Sequence, residues 1–284
     1  MSCAPVSAII PTRDRARRVG DAIASVLLQS LPPKELVVID DGSRDDTRRR
    51  VASYERLARR RGVDLQLETI EPSGVSAARN RGIARATQPW VALLDSDDLW
   101  CPRKLEIQLA RLAAHPHRLC HTDEVWIRNG RRVNPRRRHQ KRGGRIFRDA
   151  LPLCVISPSA VLLEHALLIE HGGFDESYPA CEDYDLWLRI TAREDVLYVD
   201  EPLVIKTGGH ADQLSRTTEA LDRYRIRALD NLLGTSDLEA EDRVAAIDIL
   251  TSKIDVYAAG AARRGRHHEV ATLRALKARW EAVL

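Results

Sequence analysis

The most informative stretch of the sequence is Trp90-Val-Ala-Leu-Leu-Asp95-Ser96-Asp97-Asp98. Its first five residues form an apolar run that is long enough for a buried strand and too short for a typical helix. Three carboxylates follow within four positions, and they need a cation or solvent because an unpaired buried charge costs several kcal/mol. Asp95 and Asp97 place two oxygen ligands on one turn, which suits Mg²⁺ or Mn²⁺ bound together with a substrate diphosphate. The alternative is that the acids only cap the helix that follows Pro102.

Strand and helix patterns alternate along the first hundred residues. We predict strands over residues 6–10, 35–40, 65–69 and 90–94, with an amphipathic or charged helix in each interval. This β-α-β-α-β-α-β order predicts a mostly parallel sheet with helices on both faces. Ligands of such sheets bind beyond the carboxyl ends of the strands. Polar side chains lie at several of these ends: Thr12, Asp14, Asp40, Asp41, Asp95 and Asp97.

The alternation weakens after residue 100. The patterns predict a helix over 102–115, one or two strands over 118–127, a strand over 157–163, a short helix over 164–170 and an amphipathic helix over 182–192. Beyond about residue 217 only helical patterns occur, at 224–233, 239–250, 254–262 and 268–284. We therefore predict a catalytic domain over 1–218, with halves 1–100 and 101–218, and a helical tail over 219–284.

Length and composition are ordinary for a soluble globular protein. The 284 residues have room for one α/β domain and an appendage, and no apolar run approaches the roughly 18 residues of a membrane span. Met1 leads almost directly into a strand pattern, which predicts that there is no signal peptide. The five cysteines are scattered without a Cys-x-x-Cys pair, which indicates a reduced, cytoplasmic protein.

The net charge of +4 is unevenly distributed. The segment from Arg128 to Arg148 holds ten Lys and Arg and no acid, so the rest of the chain carries −6. The simplest interpretation is a solvated loop or hairpin, but clustered Arg also invites phosphate contacts. Nucleic-acid binding is nevertheless disfavoured, because Phe147 is the segment's only aromatic and the acidic strand ends would repel a polyanion.

Six motifs in order resemble those of the family 2 glycosyltransferases. They are the run Val6–Thr12 followed by Asp14, Val37-Val-Ile-Asp-Asp-Gly-Ser43, Gly74-Val-Ser-Ala-Ala-Arg-Asn-Arg-Gly82, Leu94-Asp-Ser-Asp-Asp-Leu-Trp100, Gly172-Gly-Phe-Asp175 and Glu182-Asp-Tyr-Asp-Leu-Trp-Leu-Arg189. The resemblance covers about residues 5–215. It implies a GT-A fold, a Rossmann-like mostly parallel sheet flanked by helices, and metal-dependent, inverting transfer of a sugar from a nucleotide-sugar donor, with UDP-sugars the leading class.

The resemblance also implies roles for individual residues. The nucleotide sugar would be bound by Pro11, Thr12, Asp14, Asp40, Asp41, Arg79, Asp95 and Ser96. A divalent cation, Mn²⁺ or Mg²⁺, would be held by Asp97 and Asp95, with His210 beside it. Asp183 would be the general base, next to Glu182. On the acceptor side we place Trp187 and the three arginines Arg136, Arg137 and Arg138.

The implied chemistry agrees with what these residue types can do. A divalent cation neutralises the charge that grows on a leaving diphosphate. An attacking sugar hydroxyl is a poor nucleophile, and a positioned carboxylate that takes its proton contributes typically 10²–10⁴-fold. The expected partners are a nucleotide sugar and a saccharide or lipid-linked saccharide acceptor, with peripheral contact to anionic membrane at its cytoplasmic face and no nucleic acid.

Two other function classes remain open from the sequence. Sugar-phosphate nucleotidyltransferases share the sheet architecture, but they carry a glycine-rich loop after the first strand, where this chain has Pro11-Thr-Arg-Asp-Arg-Ala. A non-catalytic nucleotide-sugar binder would need neither the Asp95-Ser-Asp97 turn nor the Glu182-Asp183 pair. Release of UDP from a UDP-sugar would separate an enzyme from a binder.

Overall fold

The computed structural model describes residues 2–134, 139–209 and 220–283. A single mixed sheet runs through it, in the strand order β3-β2-β1-β4-β8-β6-β9-β5, with β7 paired to β6. The strands are β1 Ala4–Thr12, β2 Pro33–Asp40, β3 Asp64–Thr69, β4 Trp90–Leu93, β5 Leu99–Trp100, β6 Leu119–Arg128, β7 Arg131–Val133, β8 Leu162–Glu164 and β9 Leu197–Gly208. The first four strands of the chain fill one end of the sheet and are mutually parallel, as predicted.

Helices connect and cover these strands. They are α1 Val19–Leu27, α2 Thr47–Ala52, α3 Glu55–Arg61, α4 Val75–Arg85, α5 Lys104–Ala114, α6 Phe147–Ala150, α7 His165–Glu170, α8 Glu182–Thr191, α9 Asp222–Thr235, α10 Ala240–Arg263 and α11 His267–Glu281. No helix of the described chain is long and apolar enough to cross a membrane. The five cysteines are all unpaired.

The two faces of the sheet carry separate hydrophobic clusters. Alternate residues of β1, such as Val6 and Ile10, pack with α1 and α5 on one face. Ile9 points the other way and packs with Ile83 of α4 and Trp187 of α8. Because side chains alternate along a strand, an almost continuous apolar run can supply both cores. The predicted coverage of both faces is confirmed.

The structure differs from the predicted elements in several places. Residues 157–163 were expected to form a strand, but Pro158–Ala160 is a turn of 3₁₀ helix and only β8 follows as strand; proline suits the first turn of a helix. The patterns at 239–250 and 254–262 are one helix, α10, because buried residues continue at helical spacing across the polar pair Thr251-Ser252. Strand β9 was missed, since Asp200-Glu201-Pro202 interrupts its apolar pattern.

The tail helices pack against the half of the chain that precedes them. Buried side chains of α9 to α11 share one cluster with Phe147, Tyr184 and Leu188. The boundary predicted at residues 218–219 falls among residues 210–219, outside the described residues, and the division into domains stays a prediction.

The basic segment begins as a hairpin of β6 and β7, which confirms one of its two interpretations. The solvated-loop interpretation is corrected for Lys141, which is buried. Lys141 is buried and pairs with buried Glu124 at 3.1 Å. Arg145 and Arg148 pair with Asp242 at the start of α10, at 3.3 and 2.5 Å. A buried Lys requires a charged or polar partner, so the segment supplies a buried counterion to Glu124 of β6 and a contact to the tail.

Candidate active site

A cleft of about 1030 Å³ opens at the carboxyl ends of β1, β2 and β4. Of the site residues predicted from sequence, ten line this cleft: Pro11, Thr12, Asp14, Asp41, Arg79, Asp95, Ser96, Asp97, Glu182 and Asp183. They come from sequence positions that are up to 172 apart, and the parallel half of the sheet aligns the strand ends that carry most of them. The volume of the cleft lies at the upper end of the range for small-molecule sites, which leaves room for two substrates.

Asp40 does not line the cleft, and its predicted contact with the nucleotide is wrong. Its side chain is fully buried, and one carboxylate oxygen accepts the backbone N–H of Ser43 at 3.1 Å. Asp40 therefore shapes the turn that presents Asp41. Gly42 in this turn has φ +69°, and a Cβ there would lie 2.6 Å from the Pro72 side chain, so the close approach requires glycine.

Asp41 is fixed by the loop between β3 and α4. Its carboxylate accepts the backbone N–H groups of Ser73 at 2.6 Å and Gly74 at 3.1 Å, and the guanidinium of Arg13 lies 3.5 Å away. An ionised carboxylate has about four acceptor positions. Asp41 is therefore oriented by the backbone and retains capacity for a donor group of a ligand.

Two hydroxyl groups in the cleft wall lack hydrogen-bond partners within the described chain. They are those of Thr12, at the end of β1, and Ser76, in the first turn of α4, and both are buried. An unmet buried polar group costs about 1–3 kcal/mol, so such groups are expected to pair with a ligand or with water. The first turn of α4 also presents backbone N–H groups, which favour an anionic ligand.

The acidic edge at the end of β4 has three members with different surroundings. Asp95 and Asp97 are partly exposed in the cleft, whereas Asp98 is buried. Asp98 accepts the Ser159 hydroxyl at 2.7 Å and the Thr207 N–H at 2.9 Å, which ties the edge to β9. Burial raises the pKa of Asp98 to about 8, although the charge of Lys206 opposes this shift.

The positions of Asp98 and Lys206 at the cleft were not predicted from the sequence. Lys206, on β9, lines the cleft next to the acidic edge. Burial alone would lower the pKa of Lys206, but the charges of Glu124, Asp98, Asp95 and Asp183 outweigh it and raise that pKa. Asp98 could have been found as the third acid of its motif; Lys206 lies on a strand that was not predicted and had no comparable indication.

Arg79 joins the acidic edge to the helix that carries the predicted base. Its guanidinium is buried and donates to Asp95 at 2.8 Å and to Glu182 at 2.6 Å, and it stacks 5.0 Å over the Phe174 ring. Burial alone would lower the pKa of Arg79, but the charges of Asp95 and Glu182 raise it. Burial also raises the pKa of Glu182, more than the charge of Arg79 lowers it.

Removing this cation should destabilise the fold. We expect Arg79→Met to lower the free energy of unfolding by about 3 kcal/mol, because breaking a buried ion pair leaves an uncompensated charge. The matched control is Arg81→Met on the same helix, where a half-exposed pair with Glu68 should contribute at most about 1 kcal/mol. Urea denaturation of both variants measures the difference.

The loss should depend on pH. Without Arg79, the folded-state pKa of Glu182 rises further above its unfolded value, so the folded state binds more protons and its stability falls as pH rises. The deficit of Arg79→Met should therefore be smaller at pH 5 than at pH 8. Equal free energies of unfolding for Arg79→Met and wild type at pH 8 would show that the ion pairs of Arg79 do not stabilise the fold.

Asp183 and Glu182 are adjacent, but their surroundings differ. Asp183 is partly exposed in the cleft; its carboxylate accepts the Tyr184 N–H at 2.7 Å and lies 3.5 Å from the Cys154 thiol, which donates to it. Glu182 is buried and committed to Arg79. Cys181, the residue before α8, has a left-handed φ of +63°, and the two carboxylates follow it in the first turn of the helix.

The predicted acceptor residues do not form one described surface. Trp187 was placed on the acceptor side, but this is wrong: it is 1% exposed and packs edge-on to Phe174 in the core, because it lies on the face of α8 that covers the sheet. His210 and the three arginines Arg136, Arg137 and Arg138 lie outside the described residues.

The residues present fit a divalent cation that is bound partly by its substrate. No group of three or more potential protein ligands comes together within residues 2–134, 139–209 and 220–283. Asp95 and Asp97 nevertheless share one cleft wall and are partly exposed. Mg²⁺ and Mn²⁺ use few carboxylates when substrate phosphates supply the other oxygens, so this donor set is appropriate.

Comparison with known sequences identifies the family. The profile described as glycosyl transferase family 2 matches residues 7–172, which is more than half of the chain. The chain belongs to glycosyl transferase family 2. The family resemblance inferred from the six motifs is confirmed, and the match ends before α8 and the tail.

Several glycosyltransferases are similar to the chain in sequence. It is 31% identical to the Escherichia coli UDP-Glc:alpha-D-GlcNAc-diphosphoundecaprenol beta-1,3-glucosyltransferase WfgD over 186 residues, covering 65% of this chain and 69% of that protein. It is 31% identical to an uncharacterized glycosyltransferase of Rickettsia felis over 198 residues, or 70% of this chain. That match spans only 32% of the Rickettsia protein.

Solved structures share the fold. Staphylococcus aureus TarS residues 1–349 with UDP-GlcNAc superpose with a TM-score of 0.71 at 21% identity, covering 88% of this chain and 72% of that one. The mannosyltransferase PcManGT of Pyrobaculum calidifontis, in complex with GDP-Man and Mn²⁺, superposes with a TM-score of 0.58 at 17% identity. That match covers 99% of this chain and 85% of PcManGT. The predicted GT-A fold with C-terminal helices is confirmed.

Proposed function

We propose that this family 2 member is a metal-dependent, inverting glycosyltransferase that uses a UDP-sugar. The observation that carries the proposal is that a partly exposed carboxylate, Asp183, shares one cleft with the acidic pair Asp95 and Asp97. In this proposal Asp183 is the base for an acceptor hydroxyl, and Asp95 and Asp97 form the acidic edge at the donor diphosphate. Family membership favours this function over a nucleotidyltransferase or a nucleic-acid-binding protein.

The donor nucleoside would occupy the end of the cleft that β1, β2 and α4 build. Asp41, oriented by Ser73 and Gly74, would accept the N3–H of uracil, while Thr12 and Ser76 would pair their unmet hydroxyls with the nucleotide. Further residues line the same end: Pro11, Asp14 and Ser96. UDP is favoured because WfgD is named for UDP-Glc and TarS was solved with UDP-GlcNAc.

The donor diphosphate would lie at the acidic edge. Asp97 and Asp95 would hold a divalent cation there, and that cation would supply Lewis-acid neutralisation of the leaving diphosphate. Arg79 would hold Asp95 in place through their 2.8 Å ion pair. PcManGT was solved in complex with Mn²⁺, which supports this choice of metal.

Asp183 would act as the general base. It would take the proton of an acceptor hydroxyl while that oxygen bonds to the anomeric carbon of the donor sugar and the bond from this carbon to the diphosphate oxygen breaks. One displacement with attack opposite the leaving group inverts the anomeric configuration. Glu182 would contribute by holding Arg79, not by taking the proton, because its carboxylate is buried in that ion pair.

The acceptor would be a saccharide or lipid-linked saccharide, and the reaction would belong to surface polysaccharide or glycoconjugate assembly. The support is the named acceptor of the Escherichia coli relative, a sugar linked to diphosphoundecaprenol. Peripheral membrane contact through the basic segment, in a cytoplasmic setting, is part of the proposal.

A thermal-shift screen of nucleotide sugars tests the donor assignment. A ligand at 100 times its Kd stabilises the folded state by about 2.7 kcal/mol, so a UDP-sugar with Mn²⁺ should raise Tm clearly and EDTA should reduce the shift. Stabilisation by UTP and a sugar 1-phosphate, without stabilisation by any nucleotide sugar, would contradict the proposal and favour a nucleotidyltransferase.

A further inference from the structure

The tail contributes to the wall of the cleft. Leu221 and Arg225, at the start of α9, line it together with residues 176–184. These tail residues lie beyond residues 7–172, which the family profile matches. The cleft wall therefore includes side chains that the family's shared segment does not supply.

Contacts fix this part of the tail against the loop that precedes α8. The Cys181 thiol donates to the Leu221 carbonyl at 3.8 Å. The Asn231 amide donates to the Tyr178 hydroxyl at 3.1 Å, and the Arg227 guanidinium stacks 4.3 Å over the Tyr178 ring. Tyr178 and Cys181 both line the cleft, and Cys181 directly precedes the helix that carries the predicted base, so these contacts attach α9 beside the start of α8.

Arg225 brings positive charge to this wall. Its side chain is 19% exposed and pairs with Asp222 at 2.9 Å, and Lys253 shares the same carboxylate at 3.7 Å. Two cations thus share one acid. The Nε of Arg225 is buried and has no hydrogen-bond partner within the described chain. That nitrogen is closed to solvent, so a ligand would meet the exposed part of the side chain. A planar guanidinium is suited to a phosphate or carboxylate.

Two other charged side chains that line the cleft near this wall have oppositely charged neighbours. Glu182 is paired with Arg79, and Lys206 lies among the carboxylates Asp95, Asp98 and Asp183. An anionic group of an acceptor bound at this wall would meet the positive charge of Arg225.

We propose that the tail completes the acceptor site and that Arg225 binds an anionic group, such as a phosphate, of the acceptor. This inference rests on the proposed function and deepens it by naming the residue that selects a charged acceptor. Arg225 is a specificity-determining residue in this scheme, with no part in the proton transfer. Lys253 supports this role because it also pairs with Asp222, so that one carboxylate is shared between two cations.

Binding of two matched probes tests the assignment. One is N-acetylglucosamine joined to a short alkyl chain through a diphosphate; the other joins the same sugar and chain through a neutral ether. Titrations are made on the full chain with UDP and Mn²⁺ saturating, so that the probe cannot occupy the donor end. Wild type should bind the diphosphate probe about tenfold more tightly or better, as expected for a charge-assisted contact.

Four variants sharpen the test. Arg225→Gln should abolish the preference for the diphosphate probe and leave the affinity for the neutral probe unchanged, whereas Arg225→Lys should retain part of it. Arg223→Gln, an exposed position on the same helix, is the control and should behave as wild type. Asp222→Asn removes the competing acid and should tighten binding of the diphosphate probe, which a purely structural Arg225–Asp222 pair would not do.

The outcomes separate the inference from the proposed function. A wild type without preference, or a preference that survives in Arg225→Gln, overturns the role of Arg225. UDP release from a UDP-sugar is measured in parallel. If UDP is released and the preference does not depend on Arg225, only this inference fails. If no nucleotide sugar is consumed with any acceptor, the proposed function fails, and the inference fails with it.

Discussion

Replacing Asp183 by Asn should lower kcat by about 100-fold or more, while the affinity for the nucleotide sugar stays nearly unchanged. Asn preserves the size of the side chain and can still accept the Tyr184 N–H, which is 2.7 Å from the carboxylate. It removes the group that would take the acceptor proton. Initial rates with saturating donor and acceptor, together with calorimetric titration of the donor, measure the two quantities separately.

Two neighbouring acids serve as controls. Asp185→Asn changes a buried carboxylate that pairs with Arg189 at 2.8 Å, and Glu182→Gln changes the partner of Arg79. Both should reduce thermal stability more than Asp183→Asn does, and both should retain kcat within about tenfold of wild type, well short of the loss expected from removing a general base. If Glu182→Gln were the inactive variant and Asp183→Asn retained its kcat, the roles would be reversed. Loss of donor binding in both Glu182→Gln and Asp183→Asn would place the start of α8 in the nucleotide site.

Replacing Asp97 by Ala should abolish measurable transfer and remove the effect of Mn²⁺ on UDP binding. The described chain offers no cluster of three ligands, so the loss of one of two carboxylates removes half of the expected protein donors. Calorimetric titration of UDP with and without Mn²⁺ gives a readout that does not depend on turnover. The control is Asp64→Ala, an exposed acid at the amino end of β3, on the opposite edge of the sheet.

Two results would contradict the metal assignment. The first is full activity of wild type in EDTA. The second is Mn²⁺-dependent UDP binding that survives in Asp97→Ala with the affinity of wild type.

The parallel half of the fold was predictable because its signals are local. Short apolar runs end in Thr12, Asp41 and Asp95, and the rule that ligands bind at the carboxyl ends of parallel strands brings these residues together without a structure. The structure confirms that they share one cleft. The order of the six motifs was equally visible, because each occupies a continuous stretch of sequence.

Pairings between distant residues were not predictable. The ion pair of Arg79 with Glu182 joins residues 103 positions apart, and nothing in either local sequence specifies the partner. The sequence also could not show which face of α8 covers the sheet, so Trp187 was placed in the site when it belongs to the core. Lys206 and Arg225 reach the cleft through β9 and the tail, elements whose position depends on tertiary packing.

One reaction tests whether transfer is a single displacement with Asp183 as the base. The full chain is incubated with a UDP-sugar, a diphosphate-linked sugar acceptor and Mn²⁺. Products are followed by mass spectrometry, and the anomeric configuration of the new linkage is assigned by NMR. We expect one UDP released for each acceptor that gains one sugar residue, a product linkage of inverted anomeric configuration, and loss of both products in Asp183→Asn. A product with retained configuration, or unchanged product formation by Asp183→Asn, would contradict single displacement with Asp183 as the base.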